Sequence, residues 1–186
     1  MYAFYILVLT FAVFFLQQVF PIEQFLILTP ATVLAQPYTL ITSIFLHGGI
    51  AHIIFNMFAL LIFGPILESR IGSKKFLMLY LGAGIAGNIG YILTGGTLPA
   101  LGASGAIFGI LGALAILEPN MIVFVGFIPM PMYIAAIFWI ITEFLYTLAP
   151  SNIANWAHLF GLFVGLYYGW KLKAELPPSH HRYGRY

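Results

Sequence analysis

The chain contains 186 residues, of which 62% are hydrophobic and only 6% are charged, and its mean hydropathy is +1.01. A soluble domain cannot hide so much apolar surface, so the composition predicts a protein whose solvent is the lipid bilayer. The net charge of +2 rests on few basic residues, and no nucleic-acid partner is expected. The absence of cysteine excludes disulfides and thiolate chemistry, and all 5 acidic residues are glutamates.

Long apolar segments predict an all-α polytopic membrane protein with six transmembrane helices, at about 20 residues per span. The predicted spans cover roughly residues 3–20, 48–67, 76–94, 104–117, 131–148 and 153–170. The first span lacks a basic start and an Ala-x-Ala cleavage site, which favours a retained helix over a signal peptide. The apolar segment 21–46 contains three prolines and is expected to lie partly in the outer interface. Residues 1–172 are predicted to form one domain and residues 173–186 a polar cytoplasmic tail.

The basic residues predict how the chain is oriented in the membrane. All 7 lie either between spans 2 and 3 or after span 6: Arg70, Lys74, Lys75, Lys171, Lys173, Arg182 and Arg185. The positive-inside rule places both regions on the cytoplasmic side, and the four spans between them make the two assignments consistent. Both termini are therefore predicted to be cytoplasmic, with the loops after spans 1, 3 and 5 outside.

Glycines recur on the predicted membrane helices. In span 6, Gly161, Gly165 and Gly169 lie four residues apart and form a smooth strip on one helix face. Small residues let helix backbones approach closely in a bilayer, where lipid provides no hydrophobic drive between helices. We interpret Gly161 and Gly165 as structural residues of a helix contact.

Four polar residues on three predicted spans lie at similar depth. At about 1.5 Å per helical residue, Ser104 lies roughly 21 Å above the inner end of span 4, and His158 roughly 20 Å above that of span 6. Asn56 and His52, counted from Glu68, lie roughly 18 and 24 Å above the inner end of span 2. In a hydrocarbon core about 30 Å thick, all four fall in one layer about 10 Å beneath the outer surface.

Each of these residues has a plain structural explanation when it is taken alone. A serine in a membrane helix commonly bonds to a carbonyl of its own helix, and a polar pair such as His52 and Asn56 can tie two helices together. Taken together, the four residues suit nucleophilic catalysis, with Ser104 as nucleophile and His158 as general base. His52, Asn56 and the unpaired N–H groups at the start of span 4 would then form an oxyanion hole.

Other residues near Ser104 and His158 bear on the same chemistry. Gly102 and Gly105 flank the serine, where they allow a sharp turn and the close approach of a substrate backbone. No aspartate is available to orient His158, so a Ser-His dyad is the simpler interpretation. Glu143 lies at a similar depth, and the sequence leaves open whether it is a third member or an outer-face glutamate near the end of a short span.

Three stretches of the sequence resemble the rhomboid family of intramembrane serine proteases. They are HGGIAHIIFNM (47–57), GASG (102–105) and AHLFGLFVG (157–165). The likeness covers about residues 1–172, in the same order and with the same layout of six spans. GASG alone is a weak motif, whereas the three motifs together are highly specific.

The resemblance implies a six-transmembrane-helix rhomboid-like bundle that acts as a serine endopeptidase on transmembrane segments of other proteins. It implies that Ser104 is the nucleophile and His158 the base, and that His52 and Asn56 assist the oxyanion. His47 matches a further family histidine that has a structural role. Substrates are expected to enter sideways past spans 2 and 5, with segment 149–154 (APSNIA) as a cap over the site.

Two positions depart from the family pattern. Tyr38 and Thr39 precede LITSIFLH, where rhomboids commonly have Trp-Arg, which affects the expected contacts of the first loop rather than the chemistry. Phe108 lies four residues after the serine, where many bacterial members have a tyrosine. Phe108 can still stack on the histidine but offers no hydroxyl.

Other classes of membrane protein fit the residues less well. A metalloprotease using His47, His52 and His158 is disfavoured because HGGIAH is not HExxH and no carboxylate lies beside the span 2 histidines. A non-catalytic rhomboid-like binding protein would lack the serine or the histidine, and this chain has both. A small transporter is not supported by paired broken helices or an internal repeat. We expect no cofactor and no metal ion, and the expected partners are transmembrane substrates and the lipid bilayer.

Overall fold

A computed structural model describes residues 1–148 and 153–176 of the chain. Its longer helices are α1 (Tyr2–Val19), α4 (Ile50–Ile71), α5 (Ser73–Leu93), α6 (Ser104–Leu117), α7 (Met132–Thr147) and α8 (Asn155–Lys173). Two short helices, α2 (Glu23–Leu26) and α3 (Thr39–Thr42), and the 3-10 turns Pro30–Thr32 and Ser43–Phe45 occupy the connection between α1 and α4. Residues 149–152 of the predicted cap and 177–186 of the predicted tail lie outside the described residues.

The described helices are those of an integral membrane protein. Three of them, α1, α4 and α5, are long and apolar enough to cross a bilayer, while α6 and α7 are apolar but shorter. The predicted helical character of the fold is therefore confirmed, and the count of six spans stays a prediction. The six long helices follow the six predicted segments closely. The last, α8, runs to Lys173, one residue past the predicted domain boundary.

A β-hairpin between α6 and α7 corrects the all-α description. Strand β1 (Ile122–Val125) pairs antiparallel with β2 (Ile128–Pro131), and Val125 lies opposite Ile128. The chain reverses at Gly126, whose φ of +63° is open to glycine at little cost. The β-branched residues of β1 favour a strand, but the apolar run was too short to separate from its helical surroundings.

Helix α6 lies at the centre of the bundle, between α5 and α8, and most of its residues are buried. Its small residues allow the contact with α8 to bring backbone against backbone. A Cβ built on Gly161 would meet the carbonyl oxygen of Gly105, and one on Gly165 would meet that of Gly109. At Gly169 the nearest atom is the carbonyl oxygen of Ala113, 2.9 Å away. The glycine strip of α8 therefore sets its distance from α6.

One end of the bundle is fastened by a buried carboxylate of α4. Glu68 accepts hydrogen bonds from the backbone N–H groups of Tyr2 and Ala3, at 2.7 and 2.9 Å, and from the hydroxyl of Ser73. The first N–H groups of a helix have no partner within the helix, so this side chain caps α1 and ties it to α4 and α5.

Replacing Glu68 with alanine is expected to lower stability by roughly 1–3 kcal/mol, because buried N–H groups lose a charged acceptor. The melting temperature of the detergent-solubilised protein would measure the loss. Glu175→Ala is the matched control, since its carboxylate makes an exposed ion pair with Lys75 at 3.1 Å. Ion pairs that are exposed to solvent contribute little to stability. Equal melting temperatures for the two variants would contradict the capping role.

Candidate active site

Ser104 is the first residue of α6, and the loop before it is held in place by backbone hydrogen bonds. The N–H of Gly102 donates to the carbonyl of Ser43 at 2.9 Å, and the backbones of Leu28 and Ala100 bond to each other at 2.8 and 3.2 Å. Gly102 has a φ of +123°, and a Cβ there would lie 2.7 Å from Cε1 of His52. The positive φ favours glycine at this position, and a side chain there would also crowd the ring of His52.

The hydroxyl of Ser104 lies against the ring of His158. The distance from Oγ to Nε2 is 2.8 Å, which joins two residues 54 positions apart in the chain. The histidine lies in the first turn of α8 and is buried. The contact depends on the close approach of α6 and α8, since Gly105, the residue after Ser104, meets Gly161, one turn after His158.

Gly105 faces α8 in the structure. It is buried, and a Cβ there would lie 3.3 Å from the carbonyl oxygen of Ala157 in α8. The small residue is therefore needed for helix packing. Gly102, by contrast, borders both His52 and the serine hydroxyl, since a Cβ on Gly102 would lie 3.8 Å from Oγ of Ser104.

The second ring nitrogen of His158 contacts Glu143 of α7. The distance from Nδ1 to the carboxylate oxygen Oε2 is 2.9 Å, and both side chains are largely buried. The sequence left the role of this glutamate open. In the structure, Met132 and Ala136, which lie eleven and seven residues earlier on the same helix face, are buried. That spacing directs Glu143 into the bundle rather than toward lipid.

Phe108 stacks on the ring of His158. The two ring centroids are 4.6 Å apart and the planes differ by 7°. Phe108 also makes an edge-to-face contact with Trp139 of α7, with centroids 6.2 Å apart. The histidine is thus held by a flat aromatic surface on one side and by polar contacts at both nitrogens.

His52 and Asn56 lie one turn apart on α4 and border the same cavity as Ser104. The amide Nδ2 of Asn56 donates to the carbonyl of His52 at 2.9 Å, and the N–H of Gly48 donates to Nδ1 of His52 at 3.4 Å. When Nδ1 accepts a hydrogen bond, a neutral imidazole carries its proton on Nε2. Nε2 is the nitrogen beside Gly102, so His52 presents a donor toward the loop that precedes the serine.

His47 contacts the loop that precedes Ser104. Its ring packs edge-to-face on His52, with centroids 4.9 Å apart, and its Nε2 accepts the N–H of Ala103 at 3.5 Å. Its backbone N–H donates to the side chain of Gln17 in α1 at 3.1 Å. Burial, and then the neighbouring His52, lower the pKa of His47 to about 4, so its ring is neutral at pH 7.

The site contains a cavity of about 830 Å³. His52, Asn56, Ser104 and His158 supply its polar wall. The remaining wall is largely apolar and includes Phe63, Leu111 and Trp139. The volume is within the range of small-ligand pockets, and the polar groups converge on one side, as they do in many binding sites.

Within residues 1–148 and 153–176, no group of three His, Cys, Asp or Glu side chains is arranged to hold a metal ion. His47 and His52 are close together, but both nitrogens of His158 are engaged by Ser104 and Glu143.

Comparison with known proteins identifies the family to which the chain belongs. Residues 34–175 match the sequence profile of the Rhomboid domain. The chain belongs to the rhomboid family, which confirms the resemblance drawn from the three motifs.

Among its relatives, the YdcA protein of Bacillus subtilis is 39% identical over 127 residues, covering 67% of this chain and 62% of the relative. Rhomboid protease GluP of Bacillus subtilis is 40% identical over 131 residues, or 70% of this chain and 25% of the relative. Mitochondrial rhomboid protein 1 of Saccharomyces cerevisiae is 30% identical, over 77% of this chain and 44% of the relative. The chain thus spans less than two thirds of the length of these curated relatives.

Proposed function

We propose that the chain is an intramembrane serine endopeptidase that cleaves transmembrane segments of other membrane proteins. The observation that carries this proposal is the 2.8 Å contact between Ser104 Oγ and His158 Nε2, at a helix N-terminus on the wall of a large cavity. Membership of the rhomboid family, and a relative named as a rhomboid protease, support it.

In the proposed reaction, Nε2 of His158 takes the hydroxyl proton as Oγ of Ser104 bonds to the substrate carbonyl carbon. The same proton passes to the leaving amine nitrogen as the peptide bond breaks, which leaves an acyl ester on the serine. A water molecule then gives one proton to His158 and attacks the ester, and the proton returns to Oγ as the acid product leaves.

The oxyanion of each tetrahedral intermediate needs hydrogen-bond donors beside Ser104. Backbone N–H groups at the start of α6 have no partner within the helix and point out of its N-terminus. Nε2–H of His52 and the second amide proton of Asn56 are the proposed side-chain donors, because both residues border the cavity. Donors fixed before the charge develops need no reorganisation during the reaction.

The proposed setting is a bundle of six spans formed by residues 1–172, with both termini cytoplasmic. The basic residues around the α4–α5 turn, in the last turn of α8 and after that helix support this orientation. The site then lies in the outer half of the bilayer and opens to the outer side, where water reaches the acyl ester. No metal ion or cofactor takes part in the proposed mechanism.

A fluorophosphonate probe tests whether Ser104 is an activated nucleophile. The wild-type protein in detergent should be labelled at Ser104, because the neighbouring histidine accepts the hydroxyl proton. Phosphonylated-peptide mapping by mass spectrometry would locate the adduct. Ser104→Ala should remove labelling, and EDTA should leave it unchanged. Labelling that persists in Ser104→Ala, or that EDTA abolishes, would contradict the proposal.

A further inference from the structure

A carboxylate is costly in the middle of an apolar helix, and Glu143 is the acidic residue of α7. Its neighbours Ile141, Phe144 and Leu145 are exposed on the surface of the bundle, where lipid would surround them. Glu143 itself turns inward, and its side chain retains only 14% of its exposure. Its contact is the imidazole that touches Ser104.

We propose that Glu143 is a positioning residue for His158, so that the site works as a Ser104–His158–Glu143 triad rather than as a dyad. The inference rests on the proposed function. It assigns a role to a group for which neither the motifs nor the family match provides one.

The first effect of the carboxylate is on the tautomer of the histidine. An ionised carboxylate only accepts hydrogen bonds, so at 2.9 Å it requires the proton of a neutral His158 to be on Nδ1. Nε2 then has its lone pair free, and that lone pair faces the hydroxyl of Ser104 at 2.8 Å. The opposite tautomer would place a proton between Nε2 and Oγ, and the ring could not act as a base.

The second effect is on the charge that forms during the reaction. Once Nε2 takes the serine proton, His158 is an imidazolium in a largely buried site. The carboxylate beside Nδ1 offsets that charge, and the interaction is stronger in a low-dielectric site than in water. Glu143 accepts a hydrogen bond from Nδ1–H at each stage of the reaction.

The third effect is on ring orientation. Phe108 restricts tilting of His158 because their planes are nearly parallel, but a stacked surface leaves the ring free to rotate in its own plane. The two contacts at opposite nitrogens, on α6 and α7, fix that rotation. The stack and the carboxylate therefore restrict different motions of one ring.

Glu143→Gln is the sharpest test of this role, because the glutamine amide has nearly the same shape as the carboxylate. Its oxygen can accept a hydrogen bond from Nδ1–H, but its NH₂ can equally donate to Nδ1. The amide therefore fixes no tautomer of His158 and provides no charge to offset the imidazolium. We expect kcat to fall by at least about tenfold, with KM unchanged, when rates are normalised to serines titrated with the fluorophosphonate probe. Glu143→Asp retains a carboxylate and should lie between wild type and Gln.

Normalising the rates to titrated serines distinguishes a positioning role of Glu143 from a purely structural one. A purely structural glutamate would lower the melting temperature or the titrated fraction and leave the rate per active molecule unchanged. Thr142→Ala is the matched control, since its hydroxyl bonds to carbonyls of its own helix. A Gln variant with wild-type kcat per titrated serine, or an Asp variant no better than Gln, would overturn the inference. Cleavage that survives Ser104→Ala would instead refute the proposed function, whatever Glu143 does.

Discussion

Replacing Ser104 with alanine is expected to abolish cleavage of a transmembrane reporter in proteoliposomes, and His158→Ala is expected to do nearly the same. In both variants the hydroxyl proton has no route from Oγ to Nε2, because the 2.8 Å contact is lost. The expected loss is at least about 10³-fold in kcat/KM, since a nucleophile and its base act as a unit. Product formation on gels, quantified against time, would measure it.

The two substitutions should also be non-additive. Once the nucleophile is absent, the base has nothing to activate, so the double variant should be no slower than Ser104→Ala. Ser69→Ala is the matched control, because Ser69 is exposed near the end of α4 and bonds to Ile66 of its own helix. Reporter cleavage by Ser104→Ala at the rate of the Ser69 control would refute the assignment of the nucleophile.

The proximity of Ser104 and His158 was predictable because depth in a bilayer follows from helix rise. Each residue adds about 1.5 Å along a helix, so counting from charged helix ends places side chains at levels that can be compared between spans. Glycines at four-residue spacing indicated a close helix contact as well. Depth and packing together restrict which polar groups can meet, even where the sequence separation is large.

The contact of Glu143 was not predictable in the same way, because depth does not determine the direction of a side chain. Helix α7 is apolar on nearly all sides, so its hydrophobic pattern gives little information on which face of the helix is turned toward the bundle. The buried small residues Ala135 and Ala136 determine which face packs inward, and their burial is known only from the structure. The β1–β2 hairpin was missed for a related reason, since its strands are as apolar as the adjoining helices.

Gly161→Ala is expected to reduce both stability and cleavage, because α6 and α8 touch through their backbones at this position. A methyl group there would meet the carbonyl oxygen of Gly105, and its carbonyl carbon would be 2.8 Å away. Backbone cannot yield as a flexible side chain does, so the helices must separate. Overpacking of this kind costs typically about 1–3 kcal/mol, measurable as a lower melting temperature.

The same separation should slow the reaction, because His158 lies one turn before Gly161 and moves with α8. A shift of about 1 Å in a reacting group can cost about 10²-fold in rate, so we expect a loss of kcat larger than the loss of folded protein explains. Gly82→Ala is the matched control, since Gly82 is in α5 with no atom within 4 Å of a Cβ. The Gly82→Ala variant should retain wild-type cleavage, because alanine has a higher helix propensity than glycine. If Gly161→Ala cleaved as fast as Gly82→Ala, the distance between α6 and α8 could not be what holds the histidine against the serine.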